Sequence, residues 1–304
     1  MKFVFYEDFR LGALNGDKVV DISMFLKSLG GDTPQDVLRN VITNFETIYP
    51  DLVPLVRASG GRQVDSVRLR QPVPRPAKIL CCIGNYREHT DREPRPLDMF
   101  LKAPDSVIGP GDTVVLPKRE HPIFHHEAEL GIVIGKTAHN VPASEAMSHV
   151  FGYTAFVDVS ARGAIGRDSS GSFIGKSYDT FGPIGPCIAT ANEVPDPHAL
   201  GIKLWVNGQI RHDYNTDDME HRIPEIVEFA SSITTLLPGD VIACGTNHEG
   251  LGPLQDGDVG EIEVENVGRF SFNVSDPLKR TWDPVVDEDS ARNVREGVPM
   301  LPPQ

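Results

Sequence analysis

Cysteine is scarce in this chain, with four residues in 304: Cys81, Cys82, Cys187 and Cys244. None belongs to a C-x-x-C pair, which argues against a structural zinc site or a disulfide framework and points to reduced thiols buried in apolar strands. No Cys/His signature accompanies Cys81 or Cys82, so a thiol nucleophile is not indicated. Basic residues are also few, 29 Lys and Arg against 43 Asp and Glu, giving a formal charge of −14. With no long basic run, nucleic acid and anionic membrane surfaces are poor partners. No uncharged apolar stretch reaches the length of about 18 residues that a membrane helix needs. The opening MKFVFYEDFRLG acquires charge before a signal-peptide core can form. A soluble, cytoplasmic protein is expected. There is no G-x-G-x-x-G opening a strand-helix unit and no repeat of solenoid period, which disfavours a dinucleotide fold or a repeat array.

What is present reads mostly as short strands. Residues 1–72 form a small α+β unit: a strand at Lys2 to Tyr6, an Asn15-Gly16 turn, a second strand through Val19-Val20, then a helix. Val37, Leu38, Val41, Ile42, Phe45 and Ile48 supply its apolar stripe, and Pro50 is expected to stop it. QPVPRPAK at 71–78 favours an extended linker and places a boundary there. From 73 to 280, a Gly-Asp pair opens a β-branched run three times: Gly111-Asp112, Gly239-Asp240 and Gly257-Asp258. EIEVENVGRFSFNV alternates as a half-buried strand pair should. One helix interrupts, with Pro224 in its first turn and Ile223, Ile226, Val227, Ala230 and Ile233 on its apolar stripe. The tail, 281–304, reads as a surface-wrapping or loosely ordered segment.

FHHEAELGIVIG, 124–135, places Glu127 and Glu129 two residues apart in a strand-forming run. In an extended segment both leave one face. Either that face is a wet strand edge, or it is interior and needs a cation to offset the repulsion and desolvation of two carboxylates. Asp158 interrupts another apolar run, FGYTAFVDVSAR, and needs a partner there: Arg162, a helix N-terminus or a metal. Taken together, three carboxylates without thiols or a spaced histidine pair suit a hard cation, Mg²⁺, Mn²⁺ or Ca²⁺. His125 is a further ligand or a surface histidine beside a turn.

Five segments in this order carry a resemblance: IGNYREH (83–89), HEAEL (126–130), GYTAFVDVSAR (152–162), GKSYDTFGPIGP (175–186) and LLPGDVIACGT (236–246). Together they resemble the fumarylacetoacetate hydrolase family, in its acylpyruvate hydrolase and 2-hydroxyhepta-2,4-diene-1,7-dioate isomerase-like branch, over about residues 78–275. The resemblance implies an α+β, predominantly β fold. Its core would be a mixed β-roll of that family's C-terminal domain type beside a small N-terminal α+β domain, in a homodimer. It implies Glu127, Glu129 and Asp158 as ligands of Mg²⁺ or Mn²⁺, Lys176 as the active-site lysine, and Thr246 as a residue binding the carboxylate end of a small 2-oxo acid. His89 would be the general base. The implied reaction is hydrolysis of a carbon-carbon bond in acylpyruvate-type 2,4-dioxo acids of aromatic catabolism, to pyruvate and a carboxylic acid. The alternative on the same site is an isomerase or decarboxylase of 2-oxo dicarboxylates.

The chain departs from the family pattern at three places. Where a glutamate commonly follows the histidine by three residues stands Arg92, flanked by Asp91 and Glu93; Glu93 can still reach His89 as its partner. Pro94 and Pro96 argue against a long lid helix. Ile165 replaces a common glutamine, and the G-T-P turn is Gly245-Thr246-Asn247, followed by a second titratable group, His248.

Overall fold

The computed structural model describes residues 1–91, 93–163 and 172–295. Arg92 and Ile165 lie outside the described residues. The expected β-rich α+β architecture is observed. A mixed twelve-stranded sheet runs from the N-terminal hairpin through Lys2–Tyr6, Gly182–Thr190, Val150–Val157, Ala128–Ile134, Val241–Ala243 and Ile79–Cys82 to Met99–Lys102. Five further strands, among them Gly201–Val206, Val259–Val264 and Gly268–Ser275, form a second sheet. Apolar side chains from both faces of the large sheet build two buried clusters. Leu130, Ile132 and Ile134 enter one, while Val133 enters the other.

Local chemistry accounts for most of the turns. The three Gly-Asp pairs of residues 73–280 precede strands as expected, at Thr113–Val115, Val241–Ala243 and Val259–Val264. Gly111, Gly239 and Gly257 sit at φ of 77°, 87° and 86°, the left-handed region glycine tolerates. Each aspartate then closes its turn by accepting the N–H three residues back, from Gly109, Leu237 and Gln255 at 3.0, 2.8 and 2.9 Å.

The N-terminal segment departs from expectation in detail. Asn15 pairs with Lys18, so the hairpin loop is Gly16-Asp17, with Gly16 at φ 61°. Pro50 does not stop the helix. Pro34–Thr43 ends at Asn44, and a second helix, Phe45–Ala58, runs through both Pro50 and Pro54. The carbonyls that lose their N–H partners belong to Glu46 and Pro50, both on the exposed side, where solvent replaces the missing bond. The helix Ile223–Ile233 buries Ile223, Ile226, Val227 and Ala230, but Ile233 is 69% exposed because the packed face ends before the last residue. Residues 71–78 hold neither helix nor strand but a series of bends, and the large sheet joins the segments on either side of them: Lys2 and Phe3 pair with Ala189 and Ile188. All four cysteines are free and buried. Burial pushes the Cys81, Cys82 and Cys244 thiols well up and Cys187 to about 12, the opposite of an activated nucleophile. No helix among the described residues is long and apolar enough to cross a membrane.

Candidate metal centre

Strand pairing brings the three acids together. Ala128–Ile134 pairs antiparallel with Val150–Val157, Ala128 opposite Val157 and Glu129 opposite Phe156. One step beyond, the Asp158 N–H donates to the Glu127 carbonyl at 2.9 Å, which sets Glu127 and Asp158 face to face. One oxygen from each of Glu127, Glu129 and Asp158 lies within 4.8 Å of the others. Exposures of 6%, 1% and 1% decide between the two readings of this strand: it is interior, not a wet edge.

Cations offset part of the charge. Lys176 Nζ bridges Glu127 Oε2 at 2.6 Å and Asp158 Oδ2 at 2.8 Å. It ends the short helix Ser172–Lys176, where a Cβ on Gly175 would stand 2.7 Å from the Ala161 carbonyl. Only glycine lets that helix approach closely enough to deliver the lysine. Arg162 pairs with Glu127 rather than with Asp158. The partner that sequence reasoning missed is Lys102, whose side chain is fully buried and whose Nζ lies 2.7 Å from Asp158 Oδ1. In FLKAPDS it looks like an ordinary surface lysine; the only signal is its apolar run, Met99-Phe100-Leu101.

The balance leaves one acid without a cation. Burial would raise the Glu127 carboxyl, but Lys176 and Arg162 outweigh it and hold the group well below the usual range. Lys176 feels the reciprocal effect: burial lowers its ammonium, Asp158 and Glu127 raise it, and the net shift is upward. Glu129 makes no ion pair among the described residues and accepts one strong bond, from the Gly245 N–H at 2.6 Å. Burial, Asp158 and Glu127 together push its carboxyl well above the ordinary range. A divalent cation would remove that mismatch, and three hard oxygens this close can share one ion. Because a ligating Glu129 must be deprotonated, cation binding is expected to release a proton. Affinity for Mn²⁺ should therefore rise with pH through a range above ordinary carboxylate titration. Calorimetry in two buffers of different ionisation enthalpy reads that proton, and a pH-independent affinity would contradict the expectation.

The remaining candidates surround this centre unevenly. Gly245, at φ 86°, turns its N–H onto Glu129 and is followed by Thr246, 1% exposed, whose hydroxyl donates to the Asn247 carbonyl at 3.2 Å. His248 is buried, with Nδ1 2.5 Å from Glu88 Oε1, a pairing that ties the 83–93 stretch to the 246–248 loop. Sequence reasoning singled out His248 but not Glu88. His89 stands apart: its side chain is 80% exposed and its Nε2 lies 3.5 Å from Glu249 Oε2. Glu93 is on the same exposed stretch. His125 is neither a surface residue nor one of the clustered ligands; it is fully buried between Arg162 and Asp287.

The family model described as fumarylacetoacetate (FAA) hydrolase C-terminal matches residues 78–275. The chain belongs to the fumarylacetoacetate hydrolase family. Within that family, maleylpyruvate hydrolase of Aquipseudomonas alcaligenes is 33% identical over 291 residues, covering 90% of this chain and 99% of that protein. The mitochondrial oxaloacetate tautomerase FAHD2A of Bos taurus is 32% identical over 275 residues, 84% of this chain and 83% of that one. Among solved structures, maleylpyruvate hydrolase from Sphingobium sp. SYK-6 in complex with manganese(II) ion and pyruvate has a TM-score of 0.80 at 36% identity, covering 91% of this chain and 99% of that one. Family members of this kind are enzymes acting on ketonic acids.

Proposed function

We propose that the chain is a metal-dependent hydrolase cleaving the carbon-carbon bond of acylpyruvate-type 2,4-dioxo acids, of the maleylpyruvate or fumarylpyruvate kind, to pyruvate and a carboxylic acid. Catabolism of aromatic compounds would supply such substrates. The observation that carries this reading is the buried Glu127, Glu129 and Asp158 cluster bridged by Lys176, on a fold shared over 91% of the chain with a manganese- and pyruvate-bound hydrolase. A bound Mn²⁺ or Mg²⁺ supplies Lewis-acid polarisation of the 2-oxo acid oxygens.

The chain's own residues do the rest. Glu127, Glu129 and Asp158 hold the ion, Lys176 presents a cation where the pyruvate fragment gains negative charge, and Thr246 takes its carboxylate end. His89 accepts the proton of the water that attacks the distal carbonyl. The carbon-carbon bond then breaks with its electron pair leaving on the pyruvate methylene carbon, which is later protonated. For this His89 must turn inward, and the residues that would move already carry unusual backbone: Glu88 and His89 sit at φ of 54° and 59°. His89→Ala is expected to leave Mn²⁺ binding unchanged and to lower hydrolysis by roughly 10²–10⁴, the range for general-base loss. Full turnover would remove His89 from the mechanism.

A second reading, an isomerase or decarboxylase of 2-oxo dicarboxylates, is favoured by that same exposed His89, because those reactions need no activated water. Incubating the Mn²⁺-loaded protein with an acylpyruvate and, separately, with oxaloacetate separates the two. Pyruvate plus a new carboxylic acid from the first supports hydrolysis. CO₂ release or tautomerisation of oxaloacetate, with the acylpyruvate untouched, reverses the order.

A further inference from the structure

We propose that the C-terminal tail takes part in the metal centre: Asp287 positions the ligand Glu127 through His125 and Arg162. Asp287 lies beyond the matched region 78–275, and the proposal rests on reading the three acids as a cation site. The tail is fastened at successive points along residues 117–122, to Arg211 and to Leu251. Arg280 donates to the carbonyls of Pro117 and Arg119 at 2.8 and 2.9 Å, and the Trp282 indole N–H donates to the Pro122 carbonyl at 2.5 Å. Arg211 reaches the Pro284 carbonyl at 2.5 Å, and the Asp287 N–H donates to the Leu251 carbonyl at 2.7 Å. These ties deliver the Asp287 carboxylate, 24% exposed, to 3.1 Å from Nε2 of the fully buried His125.

The donors and acceptors around His125 fix its tautomer. A guanidinium nitrogen can only donate, and Arg162 Nε donates to His125 Nδ1 at 3.1 Å. Nδ1 must therefore be the acceptor, which leaves the ring proton on Nε2, 3.1 Å from an Asp287 oxygen but not aligned with it as a hydrogen bond. The carboxylate thus selects the tautomer that can receive Arg162. At its other end the guanidinium donates, through Nη2, to Glu127 Oε1, which also accepts from Ser160 Oγ at 3.0 Å. Oε2 of the same carboxylate faces Lys176. His125 pairs with Ser160 in the Phe124–His125 and Ser160–Ala161 ribbon, so backbone register sets the histidine beside the serine that shares Glu127 Oε1 with Arg162. Without an acceptor at position 287, the other tautomer would set an N–H against the Arg162 N–H. The guanidinium would move, and Glu127 would lose the partner that fixes its plane. Outer partners of this kind orient metal ligands in many sites.

The test compares Asp287→Asn, whose side-chain oxygen still accepts a hydrogen bond, with Asp287→Leu, which has no acceptor, both in the full chain. Two readouts are used: Mn²⁺ affinity by calorimetry, and the His125 tautomer from nitrogen shifts of protein labelled at histidine, without metal. The relay predicts the Nε2–H tautomer in the wild type and near-wild-type Mn²⁺ affinity in Asp287→Asn. In Asp287→Leu it predicts a loss of roughly 10–100-fold, the usual cost of losing an outer partner. Unchanged affinity in Asp287→Leu, equal loss in both variants, or an Nδ1–H tautomer in the wild type each overturns it. A wild-type chain that binds no Mn²⁺ overturns the cation site itself, and the metal-free tautomer still reports on the relay.

Discussion

Asp158→Asn is expected to reduce Mn²⁺ affinity by more than the roughly 100-fold that loss of an outer partner costs, and to remove turnover with it. Asp158 is the one acid of the three gripped by two lysines, Lys102 at 2.7 Å and Lys176 at 2.8 Å. Asparagine is the right probe because alanine would do a second kind of damage. Lys102 is fully buried, and its partners are Asp158 and the Lys176 carbonyl. Stripping the carboxylate to a methyl would leave that cation uncompensated, at roughly 3–5 kcal/mol for a broken buried pair. Asparagine removes the same charge, from the ion and from Lys102 alike, but keeps the volume and one acceptor oxygen for the Lys102 ammonium, so its cost in stability should be smaller than that of alanine. Calorimetry with Mn²⁺, beside a melting curve, separates the two effects. Affinity within tenfold of wild type would show that Asp158 is not a ligand.

Lys176→Met is expected to act in the opposite direction on the metal and in the same direction on rate. Its ammonium competes for the Glu127 and Asp158 oxygens at 2.6 and 2.8 Å, so its removal should tighten Mn²⁺ binding. Turnover of an acylpyruvate should still fall by roughly 10²–10³, the usual cost of losing one preorganised group that stabilises developing negative charge. Tight metal with poor catalysis would locate the role of Lys176 on the substrate side. A variant with weaker Mn²⁺ binding and unchanged kcat would place it instead in the scaffold of the carboxylates.

The sequence already marks both Asp158 and Lys176, and most of what is local is legible in that way. E-x-E on a strand, an aspartate inside an apolar run and a lysine wedged between Gly175 and Ser177 are visible without coordinates. So are the Gly-Asp turns, where a positive φ and an aspartate acceptor are properties of four or five consecutive residues. What stays hidden is through-space. Lys102 reaches Asp158 across 56 positions, Glu88 meets His248 across 160, and Asp287 meets His125 from the far end of the chain. No periodicity encodes those meetings; strand pairing and the path of the tail make them. Pro50 shows the converse failure: its rule against helix interiors is sound, but an exposed position lets solvent serve the freed carbonyl. The continuity of the large sheet across residues 71–78 is likewise a property of pairing between Lys2 and Ala189, not of either segment alone.

The most direct measurement is a crystal structure grown with Mn²⁺ and pyruvate, with anomalous data collected to place the metal. The account predicts one peak about 2.0–2.6 Å from an oxygen of each of Glu127, Glu129 and Asp158, the range for hard divalent cations, with pyruvate oxygens completing its shell beside Lys176. A peak elsewhere, or a pocket in which the three carboxylates turn away from one another around solvent, would contradict it.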